Sequence, residues 1–252
     1  MQRTSGDGVF GPAIVIGVAL SGFFDGILLH QILQWHHLLS LAEGAPKDIG
    51  FQVLADGLFH ALMYAVAIAG LAWLWSARRH VSAPGAARWL FAGALIGFGG
   101  WNLADVGLFH WILNLHHVRL DTPDWLAWDL IWFVGLGLAP TLWGLLALRG
   151  RGGRRGHGIA ACLALLAVGG AVWSSAPPPA SNRVMVIFAP GVSQVAMMDA
   201  VAVVNGRLID VAHGAMVIEL AEPHRAWALY AQGALMVSSA GPSGCLGWTK
   251  IA

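Results

Sequence analysis

The sequence predicts a mainly α membrane protein. Its parts are a four-helix transmembrane bundle with an internal two-fold repeat, a fifth transmembrane helix, and a small α+β ferredoxin-like (βαββαβ) extracytoplasmic domain. Three observations carry this reading. The 252 residues are 57% hydrophobic and only 11% charged, against roughly 25% charged in a soluble domain, and the mean hydropathy is +0.66. Five segments, near residues 10–38, 51–76, 88–116, 125–148 and 157–174, have the length and apolarity to span a bilayer, which takes about 20 residues each. After residue 182 the pattern changes to short strand-like and helix-like segments.

The first apolar segment is too long and too polar at its end for a cleaved signal peptide, and no A-x-A site follows it, so it reads as a retained helix. Basic residues set the orientation. Arg78, Arg79 and Arg88 flank the second loop, and Arg149, Arg151, Arg154 and Arg155 fill the fourth. The first and third loops hold Lys47 and Arg119 beside Glu43, Asp48, Asp121 and Asp124. The second and fourth loops, and the amino terminus with Arg3, are therefore expected in the cytoplasm. The setting is a bacterial inner (plasma) membrane crossed several times, with the carboxy-terminal domain periplasmic. Residues 1–150 form the bundle, 151–182 the fifth helix and a Pro-rich linker (SSAPPPASN), and 183–252 the periplasmic domain.

In that last domain, 184–189, 207–212, 215–220 and 234–239 read as strands, with helices at 192–204 and 223–232 and a turn at His213-Gly214. Its Met185, Met197, Met198, His213, His224 and Cys245 could suit copper(I), but methionines on a helix that must cover a sheet are expected to pack in the core. No chemistry is assigned to it. Cys162 and Cys245 stand far apart without a paired ligand spacing, which argues against a disulfide framework or a cysteine metal site. A net charge of +1 without a basic block gives no footing for a nucleic-acid partner.

The chemistry lies in two matching stretches. DGILLHQILQWHH (25–37) and DVGLFHWILNLHH (105–117) share the spacing D-x4-H-x5-H-H at an offset of 80. Helix two adds DGLFH, with Asp56 and His60, and helix four opens on Asp129, with Phe133 where a second His would fall. On straight α-helices the polar groups fall into layers in the outer half of the membrane. His36, His37, His116 and His117 lie about one turn in, near Asp56 and Asp129. His30, His60 and His110 form a deeper layer, and Asp25 and Asp105 lie deepest. His30 and His37 share a face, as do His110 and His117, and Asp56 and His60, four apart, can chelate together. Asp25 is rotated about 140° from His30 on an α-helix, so Asp25 and Asp105 are assigned to proton handling or to orienting a histidine. One Asp at the centre of a membrane helix costs about 2.5–3.5 kcal/mol, whereas interhelical polar bonds return only about 0.6 kcal/mol each. Packing therefore does not explain so many polar groups.

The candidate metal ligands are His30, His36, His37, Asp56, His60, His110, His116, His117 and Asp129. The ion is a transition metal, copper first, with iron or zinc also suited to imidazole and carboxylate. Polar packing or interfacial anchoring is the plainer alternative. His80 and His157 read as ordinary interface residues, and the 13 tryptophans as interfacial belts and helix packing.

Through FFDGILLHQILQWHH, DGLFH, NLADVGLFHWILNLHH and WDLIW, the first 150 residues resemble a family of uncharacterised bacterial membrane proteins, a domain of unknown function. The resemblance implies an association with assembly factors of caa-type cytochrome oxidases, hence copper or haem traffic. Three functions compete. The first is a periplasm-facing metal site for metal handling or respiratory oxidase assembly, with the oxidase or its factors as partners alongside membrane lipid. The second is an iron or copper oxidoreductase acting on oxygen or a lipophilic substrate. The third is a bis-His haem held by His30 and His110. The sequence also admits a homo-oligomer.

Overall fold

The computed structural model describes residues 6–33, 35–44, 49–150, 153–174, 182–212 and 215–239. Arg3, Lys47, Asp48, Arg151, most of the Pro-rich linker, the His213-Gly214 turn and Cys245 lie outside the described residues. Among those described, three stretches are long and apolar enough to cross a membrane, Gly6–His30, Leu54–Ser76 and Trp125–Arg149.

Helix α1 (Phe10–Asp25) follows a 3-10 turn at Gly6–Val9 and carries Pro12 in its first turn, where a missing N–H costs nothing. It passes directly into a π-helix at Gly26–Leu33. Helix α2 (Ile49–Ser76) returns, and the short α3 (Arg78–Val81) leads into α4 (Ala86–Ala104), which likewise passes into a π-helix at Asp105–Ile112. Helix α5 (Trp125–Trp132) reaches α6 (Ala139–Arg149) through a third π segment, Phe133–Leu138. Helix α7 (His157–Ser174) closes the helical part and packs on α1 and α4.

The third π segment has a visible cause. Pro140 has no N–H and its ring crowds the carbonyl four residues back, that of Leu136. That carbonyl is used elsewhere: Asn102 Nδ2 donates to it at 3.3 Å. Asn102 also donates to Ser21 Oγ at 2.7 Å and accepts from Trp132 Nε1 at 2.8 Å. One buried amide thus ties α1, α4 and the α5–α6 rod together.

Helices α1 and α4 touch backbone to backbone. A Cβ on Gly17 would lie 2.2 Å from the Ala94 carbonyl oxygen, and one on Gly97 would lie 2.1 Å from that of Ile14. These glycines occupy matching positions of the two halves, 80 apart, and permit the close crossing that small residues give in membranes.

The expected ends of the first and third segments, 38 and 116, are corrected: helical structure stops at Leu33 and Ile112. Leu113 N donates to Leu108 O and Leu115 N to Phe109 O, both at 2.8 Å. Asn114 then takes a left-handed φ of 48°, which asparagine tolerates better than most residues, and the chain turns back. The His-His pairs therefore stand on loops rather than on helices.

The carboxy-terminal unit has the element order the sequence suggested: β1 (Arg183–Phe188), α8 (Gln194–Val203), β2 (Gly206–Ala212), β3 (Ala215–Leu220), a 3-10 turn at Pro223–Trp227 with α9 (Ala228–Ala231), and β4 (Ala234–Ser239). The four-stranded sheet runs β2-β3-β1-β4, every neighbour antiparallel. Ser193 caps α8 through Ala196 N. Val184, Val186, Phe188, Ile218 and Leu229 fill its core, and Met197 packs against them, as expected of a helix on a sheet. Met198 instead points outward.

Gly97→Leu should prevent the α1–α4 crossing. Overpacking of this kind costs about 1–3 kcal/mol or more. The expected result is a lower midpoint in a thermal size-exclusion assay in detergent, with Gly100→Leu, at a position where a Cβ meets open space, close to wild type.

Candidate metal centre

The loop geometry builds the site. Segments 35–44 and 113–124 follow the first two π-helices and cross over each other: Leu41 N donates to Leu115 O at 2.8 Å, and Leu120 N to Trp35 O at 3.3 Å. Each loop also reads the other through a histidine. His36 Nδ1 donates to the Val118 carbonyl and His116 Nδ1 to the Leu38 carbonyl, both at 2.9 Å. A neutral imidazole that donates through Nδ1 carries its lone pair on Nε2. Both Nε2 atoms therefore face inward as potential ligands, and the two rings stack with centroids 4.6 Å apart.

Two carboxylates anchor these loops. Asp56 accepts from His37 Nδ1 at 2.6 Å and from Leu38 N at 2.9 Å, and its other contact is His30 Nδ1 at 3.3 Å. Asp129 accepts from His117 Nδ1 at 2.9 Å, Val118 N at 2.9 Å and His110 Nδ1 at 3.0 Å. The contacts match residue for residue across the two halves.

The π-helices decide where the deep aspartates point. In an i→i+5 helix a residue lies over the one five positions before it, so Asp25 falls beside His30 and Asp105 beside His110. The expectation that Asp25 and His30 diverge assumed an α-helix, and it is corrected here. Asp25 Oδ2 lies 3.6 Å from His30 Nε2, and Asp105 Oδ2 lies 3.3 Å from His110 Nε2. Three buried groupings hold ligand atoms within 4.8 Å of one another: Asp25 with His30 and His36, Asp105 with His110 and His116, and His110 with His117 and Asp129.

The first two groupings are the candidate ligand sets, each with two imidazole Nε2 atoms and one carboxylate. In the Asp105 set, His110 Nε2 and His116 Nε2 are buried without a hydrogen-bond partner. His110 already donates through Nδ1 to Asp129, so in the neutral form its Nε2 also carries a lone pair. In that form two imidazole lone pairs and a carboxylate converge in a buried space and could hold a cation. In the Asp25 set, His30 Nε2 and His36 Nε2 are 3.0 Å apart, and the tautomer of His36 makes His30 the donor. That proton must leave before both nitrogens can ligate, and Asp56 beside His30 Nδ1 stands ready to hold it there.

The expected three-histidine layer of His30, His60 and His110 does not form one set. The loops fold back and bring His36 and His116 inward in its place. Asp56 turns to His37 and His30 rather than joining His60 in a chelate. His60 is buried, its Nε2 lacks a hydrogen-bond partner, and it presses on Gly26, where a Cβ would lie only 2.0 Å away. The matching positions of the other half hold Val106 and Phe133 in one apolar cluster.

Sequence reasoning missed the carbonyls of Leu38 and Val118. For the tryptophans crowding the site-bearing segments it took packing as the default role and a dry shell as the alternative. Trp125 stacks on His117 with centroids 4.0 Å apart. Trp35 and Trp128 meet at 4.9 Å, and the Arg119 guanidinium lies over both, 4.9 and 5.3 Å from their centroids. Arg119 also pairs with Asp121, which holds that exposed carboxyl below its ordinary range.

Asp129→Ala would orphan three donors at a fully buried position. Removing one partner of such a network costs about 3–5 kcal/mol. The expected outcome is loss of monodisperse protein or a large drop in thermal midpoint, whereas Asp124→Ala on the exposed loop stays near wild type.

A family model described as "Predicted membrane protein (DUF2243)" matches residues 12–151. No curated protein and no solved structure matches the chain. The match covers more than half of the chain and both candidate ligand sets, and the chain belongs to this family.

Proposed function

We propose that this member of the predicted membrane protein family is an intramembrane metal-binding protein holding two transition-metal ions, one on Asp25, His30 and His36 and the other on Asp105, His110 and His116. The observation that carries the reading is the pair of buried, unpartnered Nε2 atoms of His110 and His116 beside the Asp105 carboxylate. Asp56 and Asp129 orient the ligands from behind, as carboxylates do for metal-bound imidazole. Two imidazoles and a carboxylate suit divalent copper, zinc and non-haem iron, and copper leads on intrinsic affinity.

The matching halves are read as an internal duplication, which makes α1, α2, α4 and the α5–α6 rod a four-helix bundle with α7 as a fifth spanning helix. The arginine-rich loops face the cytoplasm of a bacterial inner membrane. The metal site and the carboxy-terminal domain then face the periplasm, where copper is delivered to respiratory oxidases. We assign the protein to metal handling for such an oxidase.

One observation favours a second reading, an oxidoreductase. Each set supplies three protein donors, an arrangement that leaves open positions and in non-haem iron enzymes supports oxygen chemistry. A bound ion would supply that redox chemistry, and the chain would supply an enclosed, aromatic-walled pocket. The bis-His haem gains no support, since His36 sits 4.7 Å from His30 and 6.4 Å from His110 in ring centroids, in space that a porphyrin would need.

Detergent-purified protein should carry about two transition-metal ions per chain by elemental analysis, as two three-donor sets require. His36→Ala and His116→Ala should each lose one, and Asp56→Asn should weaken metal binding about 10–100-fold. His60→Phe, which copies the residue of the other half, should keep both ions. Full metal content in both His36→Ala and His116→Ala would sink the assignment. Oxygen uptake with a quinol separates the readings: a carrier shows none, and an oxidoreductase shows uptake that disappears in the metal-free His variants.

A further inference from the structure

At the end of the helices opposite the histidines, a pocket of about 700 Å³ opens between α4, α6 and α7, lined by Arg88, Arg154 and Arg155 and, among apolar groups, by Phe91, Ala147 and Ile159. We propose that this pocket binds the phosphate headgroup of an anionic phospholipid.

The charge distribution is one-sided. No Asp or Glu occurs from residue 57 to 104 or from 130 to 198, so α4, α6, α7 and the loop joining α6 to α7 bring no carboxylate to these arginines. Asp7, on the 3-10 turn beside α4, is not among the lining residues. Arg88 is held in place but incompletely used. Its Nη1 donates to the Gly150 carbonyl at the end of α6, its guanidinium lies 5.5 Å from the Trp89 ring centroid, and its buried Nε has no partner. The segment carrying Arg154 is pinned to α4 and α3, through Ala87 N to Arg154 O at 3.3 Å and Gly156 N to Val81 O at 2.8 Å. The arginines thus form a prepared cation cluster with an unsatisfied buried donor, which an anion completes.

The wall below distinguishes a lipid from a free anion. Phe91, Ala147 and Ile159 continue onto the apolar outer face of α6, where Trp143 is 60% and Leu146 57% exposed. Acyl chains fit that surface, and inorganic phosphate has no use for it. Basic pockets between membrane helices bind anionic headgroups in this way.

The test uses the full-length protein, delipidated in a neutral detergent, with native mass spectrometry. Phosphatidylglycerol should bind more tightly than phosphatidylcholine, and millimolar inorganic phosphate should displace it poorly. Arg154→Gln with Arg155→Gln alters two exposed side chains with no structural bond among the described contacts. It should weaken phosphatidylglycerol binding at least about ten-fold, while Arg78→Gln with Arg79→Gln leaves it near wild type. Equal binding of the two lipids, or unchanged binding by Arg154→Gln with Arg155→Gln, would overturn the proposal. Full displacement by inorganic phosphate would overturn its lipid part and identify the ligand as a free anion.

Discussion

The helical part of this protein depends on two buried carboxylates that each restrain a loop. Asp56 and Asp129 lie on α2 and α5, and each accepts a backbone N–H and an imidazole N–H from a loop that has turned back. Away from water, an unpaired carboxylate or backbone donor is costly, so loop and carboxylate specify each other. The exchange of carbonyl acceptors between His36 and His116 then locks one loop to the other. Remove a carboxylate and neither the loop path nor the inward Nε2 atoms has a reason to persist.

The π-helices extend the same logic into the helices. Widening α1 and α4 at Asp25 and Asp105 turns each aspartate toward the histidine five residues later, which an α-helix would point elsewhere. π segments are rare and recur at functional sites, and here two of the three carry candidate ligands. The third, before Pro140, frees a carbonyl for Asn102, and that amide joins α1, α4 and the α5–α6 rod. Local helix form and site geometry are therefore one feature.

The two halves are equal in their candidate ligands and unequal around them. Gly26 and His60 in one half stand where Val106 and Phe133 stand in the other. One candidate set thus has a further buried imidazole nearby, and the other has an apolar wall. The helix ends differ as well, with imidazoles and carboxylates gathered at one end and a pocket lined by Arg88, Arg154 and Arg155 at the other.

The sequence by itself determined the membrane character, the helix-rich half and the split order of the sheet unit, because hydropathy and period-two alternation are local properties. It also singled out every polar residue of the candidate sets, since Asp and His at a repeated spacing in apolar sequence are too costly to be incidental, but it gave Asp25 and Asp105 proton-handling or orienting roles rather than ligation. Even the π-helices left a trace, in the five-residue interval from Asp25 to His30 and from Asp105 to His110. Only the tertiary structure decided which histidines meet. The loop reversal at Asn114, the crossover to Val118 and Leu38, and the turn of Asp56 toward His37 and His30 depend on residues far apart in the chain. Their hydrogen bonds exist only once the helices have packed, and no spacing rule along a single helix could contain them.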